Sequence, residues 1–417
     1  MNKTMKEEKM SNENLFKKRI YGVQIIKSKN SNYNADFTGS PRTLPDGTVY
    51  STDKVNKFNI RKYLGRNDDN LIFTKTTYKH NLKPMVLKEV YEHHFGDIGK
   101  DKTVALKNLL SKLDVRLFGA TFAPKGADGM NISIHGPVQV SYGINRFEEL
   151  KDSGLYTDQI GSPYASKEGA EQTTLGSQTR SQEAHYVHHF SINPKNLASY
   201  IEQIKEELEK RKKKLEENKE LKKKEKDELN EINKQLEYVF QLLTVDDVKL
   251  LKQAMAVAIT YYDSTSKKDS ENELLLWIEL KEDSEKVFKN FTDLIKVENV
   301  EVEKVKKNKI SIKEVFTKYI GNHADAISKI ELAYDKYNTR LDFDYQNGQD
   351  LSFINGGTSK FKCEIVNTVH IENKRKETLE TKDSETNDNA VPFIIYEDLN
   401  LIKSTYDILN KPKAENK

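Results

Sequence analysis

The stretch Asp114–Arg146, DVRLFGATFAPKGADGMNISIHGPVQVSYGINR, decides the fold. It reads as a strand-like run, a glycine-rich connection and then a long strand with a period of two. Ile132, Ile134, Val138, Val140, Tyr142 and Ile144 are apolar, and Asn131, Ser133, His135, Gln139, Ser141 and Asn145 between them are polar. That alternation predicts one face on a core and the other open. A half-solvated antiparallel strand satisfies the pattern with no ligand at all. An open face carrying amides, hydroxyls and a terminal Arg146 is also chemically suited to hydrogen-bonding a ligand, and an RNA laid on a sheet is one such ligand.

Working outward, Ile20–Ser28 reads as a buried strand, followed by a long loop from Asn30 to Gly47. Thr52 or Asp53 offers an N-cap for a helix through Leu64, closed by Gly65. Leu71–Tyr78 is expected as a strand and Pro84–Phe95 as a helix. Phe147–Ala184 turns polar and glycine-rich before a new strand, His185–Ile192, so an excursion in the form of an extended hairpin is expected there. Thr244–Tyr262 is a helix with a capping-box pair, Thr244 and Asp247, and Glu273–Leu280 and Val391–Tyr396 are strands. Strands flanking helices, with long insertions and no persistent βαβ rhythm, describe an α+β fold.

Residues 196–243 are a different object. From Lys205 to Glu228, 20 of 24 residues are charged, 11 basic and 9 acidic, with no Gly or Pro. Ile201, Ile204, Leu208 and Leu215 on one side and Leu229, Ile232, Leu236 and Val239 on the other fit heptads with a polar middle. Folding back near Asn218 brings the apolar ends together, so a charged helical hairpin is expected. Interleaved glutamates make its lysine runs a solvated face rather than a nucleic-acid track.

The chain of 417 residues is long enough for one large core or two to three domains. Lys+Arg 68 against Asp+Glu 65 gives a net charge of +3, so any nucleic-acid binding must come from local patches. The single cysteine, Cys363, forms no intrachain disulfide and suits a reducing compartment. The first 18 residues, MNKTMKEEKMSNENLFKK, lack the apolar core of a signal peptide, and no later window approaches the apolar length of a membrane span. A soluble cytoplasmic protein is expected.

Enzyme motifs are scarce. GxxxxGK[ST], GxSxG and HExxH are absent, and Gly119–Gly129 lacks the lysine and hydroxyl pair of a phosphate loop. His185, His188 and His189 in HYVHHF invite a metal reading, but His188 faces away from the other two and no cysteine sits near, so no metal, cofactor or catalytic residue is assigned. Basic residues point elsewhere. Lys54, Lys57 and Arg61 fall within roughly a 60° arc of a helical wheel, with Lys62 beside them and Arg42 and Arg66 in flanking loops. One face can therefore grip consecutive phosphates, although an ordinary solvated helix face has the same composition.

The loop and helix NYNADFTGSPRTLPDGTVYSTDKVNKFNIRKYL (32–64) resemble the signature of the RAMP-type CRISPR-associated backbone subunit. VRLFGATF, GPVQVSYGINR, TTLGSQTR and HYVHHFSINP continue the resemblance in the same order, in the manner of the subtype I-B branch. It covers Arg19–Pro194 and the helix after Thr244. The resemblance implies a non-catalytic, RRM/ferredoxin-like palm with a thumb hairpin and a helical hairpin inserted, repeated along one CRISPR RNA (crRNA) in a type I Cascade surveillance complex. It further implies self-association into a filament, target DNA engaged through guide pairing, contact with the large, small and guide-end capping subunits, and no membrane.

On that resemblance the chain divides into a polar tail (1–18), a first palm part with the basic loop and helix (19–146), a thumb-like insertion (147–184) and a palm strand (185–195). The helical hairpin (196–243), a second palm part (244–370), a disordered loop (371–390) and a C-terminal strand and tail (391–417) follow. Carried over, Lys54, Lys57 and Arg61 would hold phosphates, with Lys62 and Arg146 beside them. Asn34, Arg42, Ser51, Gln139 and Ser141 would line the backbone path. Leu175 would be the thumb wedge, with Gln178 and Arg180 next to it. An apolar wedge replaces lost base stacking without selecting a sequence. Two departures stand out: Asn34-Ala35-Asp36-Phe37 replaces the usual glycine and proline of the turn, and Phe58 stands where a second basic residue is common. Two alternatives remain open, an RNA-cleaving subunit using Asp36 and a coiled-coil interaction scaffold.

Overall fold

The apolar run IYGVQII opens the first strand, β1 (Ile20–Ser31), and is continuous because both faces of that strand are covered. The computed structural model describes residues 14–67, 73–74, 76–127, 129–150, 154–161, 175–218, 222–237, 243–343, 361–367 and 391–403. After β1 come β2 (Tyr50–Ser51), α1 (Asp53–Leu64), α2 (Leu87–Phe95), α3 (Lys102–Leu110), α4 (Leu113–Phe118), β3 (Gly119–Phe122), β4 (Ile132–His135), β5 (Val138–Val140) and β6 (Gly143–Asn145). The strands β7 (Leu155–Gly161) and β8 (Leu175–Ile192) follow, then α5 (Ala198–Glu216), α6 (Lys223–Glu237) and α7 (Val245–Tyr261). The remaining strands are β9 (Ser270–Leu280), β10 (Lys296–Val302), β11 (Val305–Ser311), β12 (Ile327–Tyr334), β13 (Thr339–Leu341), β14 (Phe361–Val366) and β15 (Val391–Tyr396). The described residues thus mix α and β structure and include one large sheet.

Two compact units contain these elements. The larger comprises Arg19–Tyr63, Val140–Ser191 and Lys252–Lys417. Its sheet runs β14-β15-β12-β9-β1-β8-β6-β2, with β7 also paired to β8. β9 is antiparallel to both β1 and β12, whereas β12, β15 and β14 are mutually parallel along that edge. On one face Tyr21, Val23 and Ile25 join Leu274, Leu276, Ile278, Phe316 and Phe393 in a buried core. On the other, Gln24 Nε2 donates to the Met255 carbonyl at 2.5 Å and Asn56 Nδ2 donates to Gln24 Oε1 at 2.7 Å, tying α7 and α1 to the central strand. Gly22 is obligatory there: a Cβ would sit 2.1 Å from the Leu276 carbonyl oxygen and 2.3 Å from the Phe190 ring.

The smaller unit comprises Met1–Lys18, Leu64–Gln139 and Ile192–Leu251. Its core joins Tyr91, Leu109, Val115, Phe122 and Ile134 to Ile201, Ile204 and Leu208 of α5 and Ile232 of α6. Ile201, Ile204, Leu208 and Ile232 of the hairpin's apolar stripe are thus buried within their own unit, with Leu215 and Leu236 packed against them, and Val239 lies outside the described residues. Arg211, at the polar middle of the heptads, pairs with Asp101, which caps α3 through the Thr103 and Val104 amides. The paired cap at the start of α7 is reciprocal, with Thr244 N–H donating to Asp247 Oδ2 at 3.2 Å and Asp247 N–H to Thr244 Oγ1 at 3.0 Å.

Asp114–Arg146 departs from its expected form in two ways. Its first part is the short helix α4, ended by Gly119 at φ 74°, before β3 begins. Leu113, Val115, Leu117 and Phe118 are all buried, so no one-sided helical stripe marks it. Asp114 accepts from the Phe73 and Thr74 amides, and Arg116 forms a two-pronged pair with Asp247 at 3.0 and 2.9 Å. Asp114 and Arg116 are thus buried partners of distant segments. The second part is three short strands instead of one. β4 pairs with β3 and ends at Gly136-Pro137, whereas β6 pairs with β2 and β8. The face parity inverts at Ser141-Tyr142: Gly143 and Asn145 are buried, while Tyr142 is exposed.

Other expectations fall partly outside the described residues. Leu71, Ile72 and Lys75 of the expected strand at 71–78 do so, and Tyr78 forms an isolated bridge with Pro84. In the 147–184 excursion, 155–161 and 175–181 pair as an antiparallel stem, and 162–174 lies outside the description. The segment expected as a disordered loop (371–390) and the N-terminal residues 1–13 also lie outside it.

Candidate nucleic-acid interface

All of the residues singled out for binding except Gln139 belong to the larger unit. Asn34 Oδ1 accepts from both the Thr52 amide (2.8 Å) and the Thr52 hydroxyl (3.0 Å), which fastens the 32–42 loop to the helix N-terminus. Asn32, which sequence reasoning passed over, holds the same loop: its Nδ2 donates to the carbonyls of Gly39 at 2.9 Å and Thr179 at 3.1 Å. The loop is thereby fixed to the β7-β8 hairpin as well as to α1. At its tip Asp36 Oδ1 accepts from the Thr38 amide and hydroxyl and the Ser40 amide, a tight Asx turn. The Thr38 hydroxyl bond leads in holding the Asp36 carboxyl below its ordinary pKa. Phe37 beside it is wholly exposed, with the Arg42 guanidinium carbon 5.9 Å from its ring centroid.

On α1, Lys54 and Lys62 are exposed, and Lys57 and Arg61 are partly buried. Lys57 is already engaged, its Nζ lying 3.1 Å from Asp53 Oδ2 one turn earlier. The Lys57 side chain is only 12% exposed, so it meets a phosphate only by giving up this partner. Phe58 projects from the same face, 40% exposed.

Several predicted residues serve the fold. Ser51 is fully buried, its Oγ 2.9 Å from His188 Nε2, which takes it off any RNA path. Ser141 is half-buried, and its hydroxyl accepts from the His189 amide. Arg146 pairs with Asp293. In the hairpin stem, Arg180 donates to the Asn30 carbonyl at 3.0 Å and to Gln178 Oε1 at 2.9 Å. Leu175 begins β8 opposite Gly161. Gln139 is the exception in location: it lies in the smaller unit, exposed, with Nε2 donating to the Gly136 carbonyl. The exposed Tyr142, stacked on Tyr50 at 5.6 Å and 15°, went unnoticed because it occupied an assumed core parity.

The three histidines each have structural partners. His185 lies between Glu273 (2.5 Å) and Glu183 (3.2 Å), and Asn308 Nδ2 donates to the same Glu183 oxygen. Burial opposes charge on the His185 ring, but Glu273 and Glu183 outweigh it and hold its pKa above the ordinary value. His188 Nδ1 lies 2.8 Å from the Ser141 carbonyl, which only accepts, so that nitrogen carries the proton and Nε2 accepts from Ser51. Burial pushes His188 and His189 down to about 4. Among the described residues, no three His, Cys, Asp or Glu side chains converge as a metal site, and no helix is long and apolar enough to cross a membrane.

The candidate interface thus combines a polar loop tethered to α1 and to the β7-β8 hairpin with the basic outward face of α1. The family model for CRISPR-associated protein Cas7 matches residues 18–317, and the chain belongs to that family. Among solved structures, it is similar to a chain described as "CRISPR RNA-guided surveillance complex", with 10% identity, a TM-score of 0.34, and coverage of 82% of this chain and 95% of the other. A second, described as "CRISPR RNA-guided surveillance complex, pre-nicking", has 9% identity, a TM-score of 0.37, and coverage of 93% and 99%. A search of curated proteins found no match.

Proposed function

We propose that this chain is a non-catalytic, guide-RNA-binding backbone subunit of a type I Cascade complex, of the subtype I-B branch. Several copies lie along one crRNA and present it for pairing with target DNA. The observation that carries the reading, in a chain of this family, is the basic outer face of α1, anchored at its N-terminus by Asn34 and Thr52. Lys54 and Lys62 meet phosphates directly, Lys57 exchanges Asp53 for one, and Arg61 and Arg42 flank them. Base pairing supplies sequence specificity, so the protein needs backbone contacts alone. A few cations per copy suffice when several copies share one strand, which accommodates the net charge of +3.

In this reading the sheet of the larger unit is the palm and the β7-β8 hairpin the thumb, with Leu175 as its wedge. Neighbouring copies form the filament, and the large, small and capping subunits of Cascade are the further partners, in the cytoplasm. The protein should purify with RNA of uniform length, visible on a denaturing gel. Lys57→Ala with Arg61→Ala should weaken RNA binding equally for all sequences and flatten its salt dependence by about 0.7 for each phosphate that is no longer neutralised. An unchanged salt slope would remove α1 from the interface. Leu175→Asp should impair assembly on RNA while the free protein stays folded, and normal assembly would dismiss the wedge.

Cleavage by Asp36 is the competing reading. One carboxylate oxygen takes all three turn bonds, so the side chain already has a role in shaping the loop. Cuts at regular spacing in complementary RNA with magnesium, lost in Asp36→Ala, would overturn the non-catalytic assignment.

A further inference from the structure

The outer face of α1 carries one side chain that a phosphate grip does not require. At 100° per residue Phe58 falls between Lys54 and Lys62, with Arg61 and Lys57 on the far side of Lys54. A purely solvated helix face would carry a polar residue there. Phe58 is nevertheless 40% exposed. Its ring is also held in place: Tyr262 meets it edge-on at 5.5 Å and 87°. Lys62 Nζ lies 5.6 Å from its centroid, and the neighbouring Tyr261, 52% exposed, packs at right angles on Tyr63 at 5.3 Å.

We propose that Phe58 is a stacking platform for a nucleobase of the strand whose phosphates the surrounding lysines hold, an inference that rests on the guide-RNA reading above. An aromatic ring held by its neighbours and 40% exposed offers solvent the kind of π surface that stacks on any base, so it adds affinity without choosing a sequence. Lys62 stays beside the stacked pair as a cation–π partner or turns to the adjoining phosphate. Charge complementarity selects the occupant. A nucleotide brings an apolar plane and an anion together, whereas an apolar peptide would leave the flanking lysines unmatched.

The test uses the full chain and two fluorescent single-stranded RNA probes of equal length, one of uridines and one an abasic ribose-phosphate chain. Phe58→Ala should lower affinity for the uridine RNA about 5- to 150-fold, leave its salt slope unchanged, and leave abasic binding unaltered. Phe58→Leu, which retains the packing against Tyr262, should lose affinity in the same way. Phe58→Trp should bind as well as the parent, and its fluorescence should be quenched by the uridine RNA but not by the abasic chain. The chain's one natural tryptophan, Trp277, is fully buried, and its emission is the background that the parent protein measures.

Unaltered uridine binding in Phe58→Ala and Phe58→Leu, or no quenching in Phe58→Trp, would overturn the platform while leaving the lysine-dependent grip intact. Equal losses on both probes would overturn it in the same way. A parent protein that binds neither probe would overturn the guide-RNA reading and the platform with it. Tighter binding of polyglutamate than of either RNA would reassign the face to a protein partner.

Discussion

Lys252 on α7 and Lys54 on α1 are both helical lysines of the larger unit, and their surroundings make them opposites. Lys252 is 1% exposed, ion-paired with Glu331 and with Glu279 (3.5 Å), and its ammonium lies 4.8 Å from the Trp277 centroid. Tyr396 and Lys329 complete the bonding of Glu331, and its carboxyl is pulled down to about 2: burial opposes that, and the two lysines outweigh it. Lys54 is exposed on a face shared with other cations. The difference teaches that charge in this protein has two uses. Inside, it must be matched carboxylate for ammonium; on α1 it is left in excess, which is what an anionic ligand needs.

The sharpest way to break this comparison is to remove the buried cation. Lys252→Met leaves Glu331 and Glu279 under-compensated and should cost about 3–5 kcal/mol in denaturant unfolding. A loss below about 1 kcal/mol would mean that water already reaches the cluster.

Acid should act next most strongly, through His188. The unfolded chain binds its proton near pH 6.5 and the folded protein only near 4, so between these values the unfolded state holds more protons and stability falls as pH drops. The contribution of His188 is on the order of 3 kcal/mol once the pH is below 4. His189 adds in the same direction. The raised pKa of His185 has the opposite sign, with stabilisation present below pH 6.5 and lost as pH rises through its folded value. Thermal unfolding across pH 4–7 should therefore show a falling midpoint toward acid, with a shallower slope in His188→Gln.

Asn145→Ala is a smaller perturbation. The side-chain oxygen accepts from the His185 amide at 2.8 Å and the Phe147 amide at 3.1 Å, and orphaning those donors should cost about 1–3 kcal/mol. At the bottom of the scale, Lys54→Ala should alter stability by less than about 0.5 kcal/mol while measurably weakening RNA binding. A stability loss comparable to that of Lys252→Met would erase the contrast between the two lysines.

Much of the architecture was legible because its causes are local. The Thr244 and Asp247 cap, the strand at Ile20, the stem of the excursion and the two charged helices all follow from residues within a few positions of one another. The same reasoning failed in Asp114–Arg146, where a helix buried on all sides carries no stripe and a two-residue break at Ser141 inverts the faces. It also set Ser51 on a binding path and Asn145 on an open strand face, and the fold buries both beside partners.

The sequence by itself determined that α1 forms and that Lys54, Lys57, Arg61 and Lys62 share one side of it, since helical periodicity is a property of the local chain. Tertiary structure alone decided which polar groups remain available to a ligand. Arg180 bonds across 150 residues, Arg146 across 147 and Ser51 across 137. A buried donor or acceptor must find its partner wherever folding brings one, and chain order carries no record of that distance.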